Sequence, residues 1–172
     1  MPDELLDICD ADDRVVGQAP RSVVHARGDL HRAVHCWVVR PGGELVLQMR
    51  SATKDKHPST WTSSASGHVD AGEDYDTAIV RELREELGLR IEIGDLTPLA
   101  RLPASEPLGR EHTGLYLLRT DAALVPDPAE IADLEQRTLG DWLAAIERQP
   151  ETFSPSVAHL LTEHGHLIGE NA

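Results

Sequence analysis

The chain is short of the groups on which several protein classes depend. Two cysteines in 172 residues, Cys9 and Cys36, supply neither a disulfide framework nor a four-thiolate zinc site. Three tryptophans, two tyrosines and one phenylalanine leave little for a site built on base stacking. Only 16 lysines and arginines stand against 30 aspartates and glutamates, and a net charge of −14 repels nucleic-acid backbones and anionic membranes. No apolar run reaches the length of a membrane span, and the first residues are acidic where a secretory leader is basic. These absences point to a cytoplasmic protein with neither nucleic acid nor membrane as its partner. The 40% apolar and 27% charged fractions are those of an ordinary packed domain, and the length suits one core better than two.

Alternating apolar residues and turn formers predict a hairpin from Leu5–Cys9, a turn at Asp10–Asp13 and a second strand at Arg14–Gln18. Ala33–Arg40, Pro41-Gly42-Gly43 and Glu44–Arg50 predict another, while Ser51–Thr60 has no period and reads as a surface loop. Ala78, Ile79, Leu83 and Leu87 recur three or four residues apart and Gly88 follows in C-cap position, so a helix is expected over Asp74–Leu87. Strands are expected near Leu89–Ile93 and Gly114–Arg119, a loop at Pro103–Gly109, and shorter helices near Leu139–Arg148 and Ser154–His164. Nothing divides the chain, which reads as one mixed α/β domain over residues 1–172.

The informative stretch is residues 67–89. On a helix Glu82, Glu85 and Glu86 share one face, and Gly67–Gly88 holds seven acidic side chains against two arginines, Arg81 and Arg84. Composition alone allows a solvated acidic face. A helix that relieves its crowding so little is also suited to a hard divalent cation, Mg2+ or Mn2+, which turns mutual repulsion into coordination.

These residues match G-x5-E-x7-R-E-U-x-E-E-x-G-U (U apolar) at Gly67, Glu73, Arg81, Glu82, Leu83, Glu85, Glu86, Gly88 and Leu89. Average residue frequencies put a chance match at roughly one in 10^9 per window. The stretch resembles the signature of the Nudix superfamily. The resemblance implies an αβα sandwich around a mixed sheet and metal-dependent hydrolysis of a small-molecule diphosphate. It also implies Glu82, Glu85 and Glu86 as metal ligands and catalytic groups, Arg81 and Glu73 as their orienting pair, Gly67 with its backbone facing the metal, and Gly88 as part of the frame. Many relatives pair, which leaves a homodimer open.

A closer resemblance, over most of the chain, is to the Nudix branch of type-I isopentenyl-diphosphate isomerases. Trp61-Thr62-Ser63-Ser64-Ala65-Ser66-Gly67-His68 is similar to that branch's Trp-Thr-Asn-x-x-Cys-Gly-His, and Phe153-Ser154-Pro155 to its C-terminal motif. By this resemblance Arg50 and Lys54 would grip the diphosphate, with Arg21 and Arg110 as weaker candidates, and Glu111 would serve metal binding. His25 and His31, one residue closer together than the branch's pair, would join His68 and Glu111 in a second metal site, although Gly109 stands where a further carboxylate falls. The plainer reading of these histidines is hydrogen bonding to phosphate. Ser66 replaces the branch's catalytic cysteine and is far less acidic than a thiol, whereas the Arg-Glu-U-x-Glu-Glu core that the isomerases have eroded is complete. A hydrolase on an isomerase-like scaffold is therefore expected ahead of an isomerase or a non-catalytic binding module.

Overall fold

The computed structural model describes residues 3–171. Nine strands and five helices follow in the order β1 (Leu5–Cys9), β2 (Val15–Pro20), α1 (Arg21–Arg27), β3 (His31–Val39), β4 (Leu45–Arg50), β5 (Trp61–Thr62), β6 (Ala65–His68), α2 (Tyr75–Leu87), β7 (Leu96–Leu102), β8 (Glu111–Arg119), β9 (Ile131–Arg137), α3 (Leu139–Arg148), α4 (Pro155–His164) and α5 (Leu167–Glu170). The hairpin β1–β2 forms a small sheet of its own; the other seven strands form a mixed sheet in which β3 and β8 run parallel in register from His31–Glu111 to Val39–Arg119.

Helices cover both faces of the mixed sheet. Because side chains alternate along a strand, Val34, Cys36 and Val38 point to one side and pack under Ile79, Leu83 and Leu87 of α2. Trp37, Val39, Leu45 and Leu47 point to the other, against Trp142 of α3 and Val157, Leu160 and Leu161 of α4. The αβα sandwich and the mixed sheet expected from the sequence are what the chain forms.

The sheet carries one irregularity that shapes everything beneath α2. Strands β3 and β4 pair only at Val38–Val46 and Val39–Leu45 and then separate, and the segment Trp61–His68 enters the fork, β5 along β4 and β6 along β3. At its apex the buried Ser64 hydroxyl accepts from Val38 N at 2.7 Å and donates to the Val46 carbonyl, completing a ladder that the strands no longer close themselves.

Three segments differ from expectation. Leu89–Ile93 is not a strand: Gly88, at φ 66°, ends α2, and the Leu89 N–H turns back to the Leu83 carbonyl at 3.1 Å, so the apolar Leu89 covers the helix end instead. A 3-10 turn at Ile93–Asp95 follows, and the strand comes at Leu96–Leu102. β9 went unread because it is an edge strand pairing only with β4, and its sequence, IADLEQR, lacks the alternation of a half-buried strand. α1 is seven residues with one buried apolar side chain, Val24, too short for a period to register. β8 also begins three residues earlier than expected, at Glu111.

Candidate functional site

Asp74 starts α2 by accepting the Thr77 N–H at 2.7 Å, and the apolar stripe fixes the helix with Glu82, Glu85 and Glu86 turned toward β6 and the cleft. Their environments differ. Glu86 is 5% exposed, its Oε2 accepting from the Gln48 amide at 2.7 Å and from Ser66 N at 3.0 Å. The Glu82 side chain is 12% exposed, and Glu85 is half exposed. Burial pushes Glu82 and Glu86 well above the ordinary carboxylate range, Glu82 being partly relieved by Arg81 and raised further by Glu85, and Glu86 raised further by Glu82 one turn away.

Arg81 ties this face together. Its guanidinium makes a bidentate pair with Glu73 (Nε–Oε1 3.0 Å, second contact 2.9 Å), donates to Glu82 Oε1 at 2.6 Å and reaches Glu85 Oε2 at 3.4 Å. It also donates to the His68 carbonyl at 2.9 Å, which anchors β6 to the helix. Desolvation opposes the charge on Arg81, but these carboxylates outweigh it and hold the group firmly protonated.

Gly67 explains how helix and strand come so close. A Cβ built there would collide with both carboxylate oxygens of Glu82, so the missing side chain is the space that Glu82 occupies. Gly67→Ala should cost about 1–3 kcal/mol and, by displacing Glu82, lower any turnover that depends on the acidic face at least about tenfold. A variant with wild-type melting temperature and wild-type turnover would refute this account of Gly67.

A second group converges beside the first. Parallel register sets His31 of β3 next to Glu111 of β8; His68, opposite Ala33 on β6, lies two residues along; and the turn after α1 folds His25 over them. One ligand atom from each of the four lies within 4.8 Å of the others. His31 Nδ1 contacts the Asp29 carbonyl at 3.0 Å, so Nδ1 carries a proton and Nε2 is the nitrogen turned to Glu111. That Nε2 is buried without a hydrogen-bond partner and sits 3.4 Å from Glu111 Oε1. A histidine nitrogen and a carboxylate oxygen this close in a buried site suit a cation, and three imidazoles with one carboxylate are a donor set for a divalent transition metal. In the protein alone a proton partly fills that role. Burial disfavours charge on His68, yet hydrogen bonds to Glu111 and Glu4 outweigh it and raise the group to about 9. Burial would raise Glu111, but His31 and His68 hold it far below the usual carboxylate range.

The basic residues singled out in the sequence ring the cleft, most of them already engaged. Lys54 is ion-paired with Glu130, Arg21 with Asp55 at 2.9 Å, and Arg50 donates to the Lys56 carbonyl at 3.0 Å. Arg110 donates to the Gly28 carbonyl at 2.6 Å. Arg110 and Lys56 line a cavity of about 380 Å3 together with His25, His31, Asp29 and Glu106, and no aromatic side chain faces it. His35 lies opposite Ser66 across β3–β6, buried, 2.9 Å from the Ser63 hydroxyl and kept neutral by burial, its pKa lowered to about 4. Trp61 packs on Trp142 as a core wall, and Cys36 is buried in the sheet.

Sequence reasoning missed Gln48, Glu130 and Glu4. The signal for Gln48 was present but misleading, because one polar residue among alternating apolar ones reads as solvent-facing and this strand is covered on both sides. Glu130 and Glu4 carry no local pattern.

Comparison with known proteins covers most of the chain. The NUDIX domain model matches residues 29–162. An isopentenyl-diphosphate Delta-isomerase of Paenarthrobacter aurescens is 35% identical over 81% of this chain and 79% of its own. An uncharacterized Nudix hydrolase of Streptomyces coelicolor is 39% identical over 81% of each. Among solved structures, the DR0079 protein of Deinococcus radiodurans superposes with a TM-score of 0.83 at 31% identity, covering 92% of this chain and 98% of that one.

Proposed function

Because the chain belongs to the NUDIX domain family of hydrolases, we propose that it cleaves the diphosphate bond of a small substrate with a divalent metal, water attacking phosphorus. The observation that carries the reading is the pair of carboxylates Glu82 and Glu86, one helical turn apart and largely withdrawn from water, of which only Glu82 has a cationic partner, Arg81, among the described residues. A cation there would relieve both. Glu82, Glu85 and Glu86 would hold it, Arg81 keeping Glu82 and Glu85 aimed while its other edge is anchored on Glu73. A bound Mg2+ or Mn2+ supplies neutralisation of the phosphate oxygens and an activated water. Lys54, Arg21 and Arg50 stand where a phosphate could displace their present partners. His25, His31, His68 and Glu111 would form the second metal site.

The aromatic inventory bears on substrate class. Trp37, Trp142, Tyr116 and Phe153 are buried, Trp61 lies on Trp142, and Tyr75 is stacked by Arg32 and Arg101. No platform remains for a pair of bases, which favours a small nucleoside diphosphate or a non-nucleotide diphosphate over a dinucleotide. A cytoplasmic setting and a single domain over 1–172 complete the proposal; among the described residues no helix is long and apolar enough to cross a membrane.

One observation supports a second reading. The convergence of the three histidines with Glu111 is what resemblance to the isomerase branch implies, so isomerisation of a prenyl diphosphate is kept beside hydrolysis, with Ser66 weighing against it. One screen separates them. Phosphate and pyrophosphate release is followed with Mg2+ and with Mn2+ over nucleoside di- and triphosphates, nucleotide sugars, dinucleotides, thiamine diphosphate and prenyl diphosphates, and deuterium uptake into the allylic product is monitored in D2O. Hydrolysis of a small diphosphate without deuterium uptake is expected. If folded protein left every substrate intact with both metals, the hydrolase proposal would fail.

A further inference from the structure

We infer that Gln48 is a positioning residue for Glu86, fixing which of its two oxygens faces the metal. The inference rests on the reading of Glu82, Glu85 and Glu86 as the metal ligands.

Gln48 occupies an improbable place for an amide. It points from β4 to the same side as Val46, under α2, with β5 pairing on one edge (Thr62) and β9 on the other (Leu134), and it is 1% exposed. A leucine or methionine would fill that volume without the desolvation cost of an amide. What distinguishes glutamine is its two N–H donors, and both are used: one to the Ser64 carbonyl at 3.1 Å, one to Glu86 Oε2 at 2.7 Å. The Ser64 carbonyl only accepts, so the amide cannot be turned over without facing oxygen to oxygen there. Its orientation is therefore dictated by its neighbours.

The consequence falls on Glu86. Its Oε2 receives Gln48 Nε2 and the Ser66 backbone N–H, while no hydrogen bond engages Oε1 among the described residues. Two donors on one oxygen fix the rotation of the carboxylate plane and leave Oε1 as the atom presented to the cleft. Ser64 extends the hold, because the residue that accepts from Gln48 also plugs the β3–β4 fork with its hydroxyl. The geometry of the fork and the aim of Glu86 are thus set by one buried hydrogen-bonded chain. Partners of this kind, one bond removed from a ligand, typically carry 10–100-fold in metal affinity.

Calorimetric titration of the full chain with Mg2+ alone tests this, on wild type, Gln48→Met and Glu86→Gln, with melting curves in chelator for each. Mg2+ is the probe because the histidine cluster is a poor site for so hard an ion. Wild type should bind, Glu86→Gln should not, and Gln48→Met should bind about 10–100-fold more weakly while still melting cooperatively. Equal affinity in Gln48→Met and wild type overturns the inference alone. Absent binding by wild type, or unimpaired binding by Glu86→Gln, overturns the metal-site reading and this inference with it. Should Gln48→Met not fold, the wild-type side-chain amide resonances of Gln48 decide. They should shift during the Mg2+ titration along the same binding curve, and resonances that stay in place would overturn the inference.

Discussion

Glu86→Gln should remove metal-dependent turnover almost completely, by roughly 10^3-fold in kcat/KM, while making the metal-free protein more stable. On the proposed reading the activity loss follows from replacing a negatively charged metal ligand by a neutral amide at the most buried carboxylate of the helix, since metal polarisation of a phosphoryl oxygen is worth several kcal/mol in the transition state. The gain in stability follows from the same burial. Glu86 is desolvated and faces Glu82 one turn away, so its charge disfavours the folded state until a cation arrives. The glutamine carbonyl can still accept from Gln48 and Ser66 N, so the neighbouring bonds survive. In chelator the variant should melt higher, by about 2–4 °C for each kcal/mol recovered in a chain of this size. Saturating Mg2+ should raise wild type and leave the variant where it was. Turnover within threefold of wild type, or a lower melting temperature in chelator, would count against the assignment.

The second large effect is a dependence of stability on pH that metal should suppress. Burial raises Glu82 and Glu86, so from the ordinary carboxylate range up to about pH 8 the folded protein holds protons that the unfolded chain has released. His68 has the same sign from 6.5 up to about 9, because its hydrogen bonds to Glu111 and Glu4 keep it charged in the fold. Where the folded state binds more protons, stability falls as pH rises. Below about pH 6.5 His25 and His35, neutral in the fold down to about 4, work the other way, since the unfolded chain then takes up protons they refuse. Glu111, held low by His31 and His68, adds stability that is present above the carboxylate range and lost below it. The metal-free protein should therefore be most stable near pH 6.5 and lose about 3 kcal/mol by pH 8.5, at about 1.4 kcal/mol per proton per pH unit. On the proposed reading divalent cations replace those protons, so with saturating Mg2+ and Mn2+ the loss should shrink to less than about 1 kcal/mol. Urea denaturation at pH 6.5 and 8.5, with chelator and with metal, measures both. Chelated protein that is equally stable at the two pH values would show that these groups do not share protons in the fold as described.

The two groups of site residues were not equally legible. Gly67, Glu73, Arg81, Glu82, Glu85 and Glu86 lie within twenty residues on one strand, one loop and one helix, and helical spacing alone places the three glutamates on one face. His25, His31, His68 and Glu111 come from α1, β3, β6 and β8. As a sequence they are scattered residues with a family likeness; the parallel register of His31 with Glu111 and the entry of β6 into the fork are what bring them together. The loop cations differ again. Lys54 and Arg21 were singled out for their charge, and that Glu130 and Asp55 already hold them is a fact of through-space neighbours seventy-six and thirty-four positions away.

By itself the sequence determined the acidic helix, the family and the layered fold, because each rests on short-range order: helical spacing, strand alternation, cap residues and turn glycines act over a few bonds. The tertiary structure alone decided how the charges are used. It buried Glu86 and most of Glu82 while leaving Glu85 half exposed, aimed Gln48 at one oxygen of Glu86, and brought His25, His31, His68 and Glu111 within reach of one another. The reason is physical. Desolvation and hydrogen-bond geometry depend on which surfaces the packed sheet and helices exclude from water, and residues distant along the chain set that exclusion.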